Sequence, residues 1–169
     1  SIGRCNTNIS TMKRNKKYGI IDIGSNSVRG RAFADGKIIY NDLFTTRLGS
    51  GLANGSALTE KSMQDTVKAI KNLVGGFKKA EVGEIYAFAT EAVRSATNGK
   101  NFVGLVKNET GIDVDVVNGD EEGELALLGA VGMDDGGVID IGGASAEISV
   151  VKSGKIIYSP SLPLGAVRL

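Results

Sequence analysis

The chain has 169 residues, enough for one domain with a real core or for one domain and part of another. Apolar residues make up 41%, yet no apolar run approaches the ~20 residues of a membrane helix, so neither a span nor a membrane partner is expected. Lys and Arg number 20 against 19 Asp and Glu, and five basic residues fall in 1–17; the rest is near −4, which argues against a nucleic-acid partner.

Residues 1–17 carry Arg4, Lys13, Arg14, Lys16 and Lys17 without an acid, and Ile2, Ile9 and Met12 stand alone, so there is no signal-peptide core. They read as a flexible basic tail or expression remnant rather than an arm for a polyanion. Cys5 is the single cysteine, which excludes an intrachain disulfide and a cysteine metal cage and makes a reducing cytoplasm the expected location.

Tyr18–Ile23 reads as a strand and Gly24–Ser27 as a tight turn. Val28–Ala34 and Lys37–Leu48 read as two further strands joined at Asp35-Gly36, a two-residue hairpin signal. Gly49–Gly55 reads as a loop. Thr59 can cap a helix, and Met63, Val67, Ile70, Val74 and Phe77 follow at steps of 4, 3, 4 and 3, with the glycines and lysines of 75–79 expected to end it. Glu84–Ala89 is a buried strand running into the helix-prone Thr90–Ala96. Asn98-Gly99 breaks the chain, and Asn101–Thr110 is a helix closed by Gly111. After a strand at Val114–Val117, Asn118-Gly119-Asp120 opens a helix to about Val131, with Leu125, Leu128 and Val131 on one face. From Gly136 the pattern restarts. Val138–Ile141, Ala146–Val151 and Lys155–Pro160 repeat the meander of 18–48, with Ser153-Gly154 as the hairpin turn. The βββαβαβα order implies an α/β domain, a mixed sheet with helices packed on it.

The restart repeats a chemical motif. Ile21-Asp22-Ile23-Gly24-Ser25-Asn26-Ser27 returns 118 residues later as Ile139-Asp140-Ile141-Gly142-Gly143-Ala144-Ser145. Small residues in such turns let main-chain N–H groups approach an anion closely. Either copy alone could be a hairpin whose Asp and Asn bond turn amides. Two identical strand-end Asp-Ile-Gly turns favour a phosphate grip from two sides, with Asp22 and Asp140 holding Mg²⁺ directly or through water.

Histidine is absent, so any catalysis rests on carboxylates, hydroxyls, Lys, Arg and main-chain amides. Thr90 and Arg94 share a helix face at a strand end, where they are either a hydroxyl and a guanidinium for phosphate or an N-cap and a solvated Arg. Asp120, Glu121, Glu122 and Glu124 crowd a helix start. Capping and the helix dipole explain acids there, while mutual repulsion could poise one as a general base. Adjacent Glu121 and Glu122 cannot share a face, so at most one points into a site. Period two places Glu147 on the side of Ser145, where it meets metal, water or phosphate, or else solvent at an edge.

These motifs resemble, in order, the N-terminal part of the exopolyphosphatase / guanosine pentaphosphate phosphohydrolase (Ppx/GppA) family. Carrying the resemblance are 21–27, Ala89-Thr90-Glu91-Ala92-Val93-Arg94, Thr110-Gly111-Ile112, Asn118-Gly119-Asp120-Glu121-Glu122-Gly123, Ile139–Glu147 and Leu162-Pro163-Leu164-Gly165-Ala166-Val167-Arg168-Leu169. It covers roughly 18–169 and implies two ribonuclease-H-like domains of the actin/Hsp70/sugar-kinase superfamily with the active site between them. The first domain would be 18–132, and 133–169 the beginning of a truncated second, so the chain alone is expected to be inactive.

The resemblance implies Mg²⁺-dependent hydrolysis of a terminal phosphoanhydride in polyphosphate or guanosine pentaphosphate, by a homodimer in the full-length protein. Glu122 would be the general base. Asp22, Asp140 and Glu147 would hold metal, and Gly24, Ser25, Asn26, Thr90, Arg94, Gly142, Gly143, Ala144, Ser145 and Glu147 would bind phosphate. Ala144 stands where the family has a third glycine, Glu91 where it usually has Ser, and Glu124 where it often has Arg. A superfamily ATPase or sugar kinase would share the paired turns but lacks the Asn118–Glu122 element. A non-catalytic polyphosphate- or nucleotide-sensing module is the non-enzymatic alternative.

Overall fold

Alternation along Tyr18–Ile23 decides the first layer. Ile21 and Ile23 are fully buried on one face, while Tyr18, Ile20 and Asp22 lie half-buried on the other. The computed structural model describes residues 16–53, 55–130, 132, 134–162 and 164–166. Most of the basic segment 1–17, together with Val131, Pro163 and 167–169, lies outside them.

Five strands form the first sheet: β1 (Tyr18–Ile23), β2 (Ser27–Ala34), β3 (Lys37–Thr45), β4 (Glu84–Ala89) and β5 (Val114–Val116). Their order is β3-β2-β1-β4-β5, antiparallel through the β1–β2–β3 meander and parallel from β1 to β4 to β5. The Asp35-Gly36 hairpin has φ of 50° and 75°, both left-handed, as a two-residue type I′ connection requires.

Helix α1 (Glu60–Lys79) covers the buried face. Thr59 caps it by accepting the Ser62 N–H at 3.1 Å, and Met63, Val67, Ile70, Leu73 and Phe77 form its buried stripe. Each such fully buried side chain contributes about 1.5–3 kcal/mol. The helix ends at Lys79, inside the expected 75–79, but only after running through Gly75-Gly76. A Cβ on Gly76 would fall 2.3 Å from the Tyr40 ring, so that glycine marks a close helix–strand contact and not a terminus.

Two other departures have local causes. The third strand ends at Thr45, and Leu48–Ala53 form a short 3₁₀ helix in place of the expected strand end and loop, because Leu48 is drawn fully into the core. Helix α2 spans Glu91–Ser95, and α3 (Gly99–Thr110) starts two residues early. The Asn98 side chain does not cap α3. It accepts the Leu58 N–H and donates to the Leu58 carbonyl, tying α3 to the approach to α1. Gly111, at φ 74°, ends α3 as expected.

The second sheet consists of β6 (Gly136–Ile141), β7 (Ala146–Lys152), β8 (Lys155–Tyr158) and β9 (Ser161–Leu162). β7 pairs with β6 on one edge and with β8 and then β9 on the other. The single strand expected at Lys155–Pro160 is interrupted at Ser159-Pro160, where proline has no N–H for a ladder.

Helix α4 (Gly119–Ala130) packs on β7, with further contacts to β6 and β9. Its sheet-facing side is Gly123 and Leu127, not the expected Leu125 and Leu128, which are exposed. A Cβ on Gly123 would lie 2.6 Å from Ser159 Oγ and 2.8 Å from Ser149 Oγ, so close approach to the sheet selects that side. On the opposite face of the sheet, among the described residues, Ile139 and Ile141 are 69% and 67% exposed.

Candidate active site

The two repeated turns fold alike. Gly24 N–H donates to Ser27 O at 3.0 Å, and Gly142 N–H to Ser145 O at 2.8 Å. These closures leave the amides of Ser25 and Asn26 outside the first turn's own hydrogen bond. The turns touch: a Cβ on Gly143 would be 3.3 Å from the Cβ atoms of Asn26 and Ser25. Ser25, Ala144 and Ser145 are buried, while Asn26 is exposed.

Asp22 and Asp140 occupy equivalent register positions with different partners. Asp22 pairs across the strands with Arg29, and Asp140 with Glu147. Burial holds the Asp22 carboxyl above the usual range; Arg29 pulls it down, Asp140 pushes it up and Arg31 pulls it down. Glu147, only 2% exposed, accepts the Ser161 hydroxyl at 2.7 Å. Among the described residues, no Lys or Arg forms an ion pair with Asp22, Asp140 or Glu147.

At the end of β4, Thr90 is buried and its side chain makes no capping bond. Arg94 is not a solvated residue. Its side chain is 24% exposed; Nη1 donates to Val117 O at 2.6 Å and reaches Glu122 Oε2 at 3.4 Å, and Nη2 pairs with Glu91 Oε2 at 2.5 Å.

The start of α4 separates the acids cleanly. Asn118 N–H donates to the Glu121 carboxylate and Glu121 N–H to Asn118 Oδ1, both at 2.9 Å, a reciprocal capping box. Asp120 and Glu124 are exposed. Glu122 alone turns toward Arg94. Burial, then repulsion from Glu147, pushes its carboxyl from 4.5 to about 7, against the pull of Arg94; Asp22 adds to the rise.

Two supports escaped the sequence reading. Thr46 N–H and Arg47 N–H both donate to Asn26 O (3.1 and 2.9 Å), and Gly49 N–H to Ser25 O (2.8 Å), strapping the first turn from behind. Arg47 takes φ 50° to do so. On the second turn, Ala166 N–H donates to Gly142 O at 3.0 Å, and a Cβ on Gly165 would be 2.4 Å from Ala144 N. The signal was a Leu-Gly pair after the third strand of each repeat, Leu48-Gly49 and Leu164-Gly165.

The donor set suits a hard divalent cation, because acids of both turns lie near one another and, among the described residues, form no ion pair with Lys or Arg. Among the described residues, no three acidic side chains close into a metal cage. Mg²⁺, which takes one or two carboxylates and keeps several waters, fits that arrangement. Among the described residues, no helix is long and apolar enough to cross a membrane.

The model of the Ppx/GppA phosphatase family matches residues 29–169. The chain is 34% identical to the Aquifex aeolicus member of the Ppx/GppA protein family, over 89% of this chain and 52% of that one, with a TM-score of 0.75. An exopolyphosphatase structure from Cytophaga hutchinsonii superimposes at TM-score 0.83, with 28% identity over 90% of this chain and 52% of that one. Exopolyphosphatase 1 of Mycobacterium bovis is 28% identical over 90% of this chain and 47% of its own length. The chain thus spans about half the length of these relatives. A more distant likeness, to MreB5 of Spiroplasma citri (14% identity, TM-score 0.55), shows the fold alone, an actin/Hsp70-like one.

Proposed function

Because this chain belongs to the Ppx/GppA phosphatase family, we propose that the whole protein is a phosphoanhydride hydrolase releasing terminal phosphate from inorganic polyphosphate. Guanosine pentaphosphate ends in the same anhydride and is the second substrate of this reading. The observation that carries it is Glu122, a half-buried carboxylate brought to about 7 beside Arg94 and the acids of both turns. A base with that proton affinity is half ionised near neutral pH, where it can take a proton and still drive its transfer.

In this reading Glu122 accepts a proton from water as the water oxygen bonds to the terminal phosphorus. The bridging P–O bond breaks, and its electron pair leaves on the shortened chain. Arg94 and the amides of Ser25, Asn26 and Gly143 meet the non-bridging oxygens, where fixed donors stabilise developing charge. Thr90 and Ser145 would add hydroxyl donors. Asp22 and Asp140, with Glu147 behind them, would hold Mg²⁺, which supplies positive charge to the phosphate oxygens. The reading extends to a cytoplasmic homodimer, which sedimentation of the whole protein tests.

The deciding experiment is phosphate release from polyphosphate and from guanosine pentaphosphate by the whole protein and its Glu122→Gln variant. Loss of at least ~100-fold is expected for a missing general base. Wild-type rates in the variant would remove Glu122 from the chemistry. Tight polyphosphate binding without turnover in the unaltered protein would favour a sensing module.

A further inference from the structure

We propose that Glu91 is a specificity-determining residue of this site, a fixed negative charge that competes with phosphate for Arg94 and keeps oxyanion binding loose. This rests on the reading above, in which Arg94 receives phosphate.

The geometry separates two roles that one carboxylate could play. Glu91 Oε2 lies 2.5 Å from Arg94 Nη2, with the side chains only 15% and 24% exposed. Its other oxygen, Oε1, accepts the Ser95 hydroxyl, so the carboxylate is held from both sides. Arg94 is anchored independently, through Nη1 to Val117 O at 2.6 Å. Loss of the Glu91 charge therefore leaves the guanidinium in place.

What Glu91 does remove is part of the Arg94 fork. A guanidinium grips an oxyanion best through two parallel N–H donors. Here one Nη1 proton goes to Val117 and one Nη2 proton to Glu91. A phosphate meeting the remaining donors also meets the Glu91 charge next to them. With Glu122 3.4 Å from the same guanidinium, Arg94 already faces two carboxylates before any substrate arrives. The consequence is weak retention of small anions, orthophosphate above all, at a residue that would otherwise bind them tightly.

Glu91→Gln tests this, because glutamine keeps an oxygen acceptor for Arg94 and removes only the charge. The Arg94 Nε–Hε resonance of the 169-residue chain, with metal chelated, reports the site directly. Orthophosphate and tripolyphosphate serve as probes. The variant should bind both more tightly, by about five- to tenfold at low salt, with the gain shrinking as ionic strength rises. Glu91→Ser should shift affinity in the same direction. Damage to the structure would weaken binding, so a gain cannot arise from it.

Equal or weaker binding by Glu91→Gln, in a chain whose unaltered form responds to the anions, overturns the proposal alone. No Arg94 response in the unaltered chain overturns both the proposal and the phosphate site on which it rests.

Discussion

Gly143 of the second turn rests against Asn26 of the first, so close that a Cβ at 143 would stand 3.3 Å from the Asn26 Cβ and equally near that of Ser25. The absent side chain lets the two turns meet. Gly143→Ala should push them apart by a few tenths of an ångström. The expected stability cost is within about 1 kcal/mol, because the contact lies at a surface cleft and not in the core. Tripolyphosphate affinity, read by titration calorimetry, should fall several-fold. Unchanged affinity would mean that the turns do not bind one ligand together.

Glu122 ties stability to pH with a definite sign. Its carboxyl titrates near 4.5 when unfolded and at about 7 in the folded chain. Between those values the folded state holds the proton more tightly, so stability falls as pH rises through the window. The full shift corresponds to at most ~3 kcal/mol. Glu122→Gln should abolish this slope and melt higher than the unaltered chain at pH 8. Parallel melting-temperature curves from pH 4.5 to 8 would show that Glu122 is not held protonated by the fold. On the proposed role of Glu122 as base, phosphate release by the whole protein should rise through pH 7.

Much of this arrangement was legible because strand alternation and helix periodicity are local. Tyr18–Ile23, the stripe from Met63 to Phe77 and the hairpins at Asp35-Gly36 and Ser153-Gly154 follow from spacing and turn chemistry. Spacing alone could not choose Glu122 over Glu121, a choice that only the family resemblance made, since it depends on Asn118 engaging Glu121 in a capping box. What stayed hidden depends on contacts between distant residues. Gly76 looks like a helix stop until Tyr40 is placed beside it, and Leu125 and Leu128 look like a core face until Gly123 is seen against Ser149 and Ser159. Spacing leaves Arg94 open between a solvated residue and an inward-turned one until Glu91 and the Val117 carbonyl enclose it.

The strap behind the first turn acts through its backbone. Arg47 N–H holds Asn26 O while the residue sits at φ 50°, a region glycine enters without strain. Arg47→Gly should keep phosphate affinity and change stability by no more than about 1 kcal/mol, since relief of strain is offset by a more flexible unfolded chain. Arg47→Pro, which removes the N–H and forbids that φ, should lower affinity and melting temperature together. If Arg47→Gly loses phosphate binding while melting normally, the guanidinium and not the N–H is the contributing group.

Asp140 and Glu147 face each other across β6 and β7, at the position where the first sheet pairs Asp22 with Arg29. Like charges in that register oppose pairing by about 0.2–1 kcal/mol. Asp140→Asn should therefore raise the melting temperature of the chain when divalent metal is chelated. Mg²⁺ should stabilise the unaltered chain, because a ligand bound only by the folded state adds about 2.7 kcal/mol at a hundred times its Kd. In Asp140→Asn that increment should shrink sharply, so the order of the two melting temperatures reverses between chelator and saturating Mg²⁺. Thermal melts of both proteins under the two conditions make the comparison. An equal Mg²⁺ increment in both would place the cation away from Asp140, and no increment in either would remove Mg²⁺ from this half of the site.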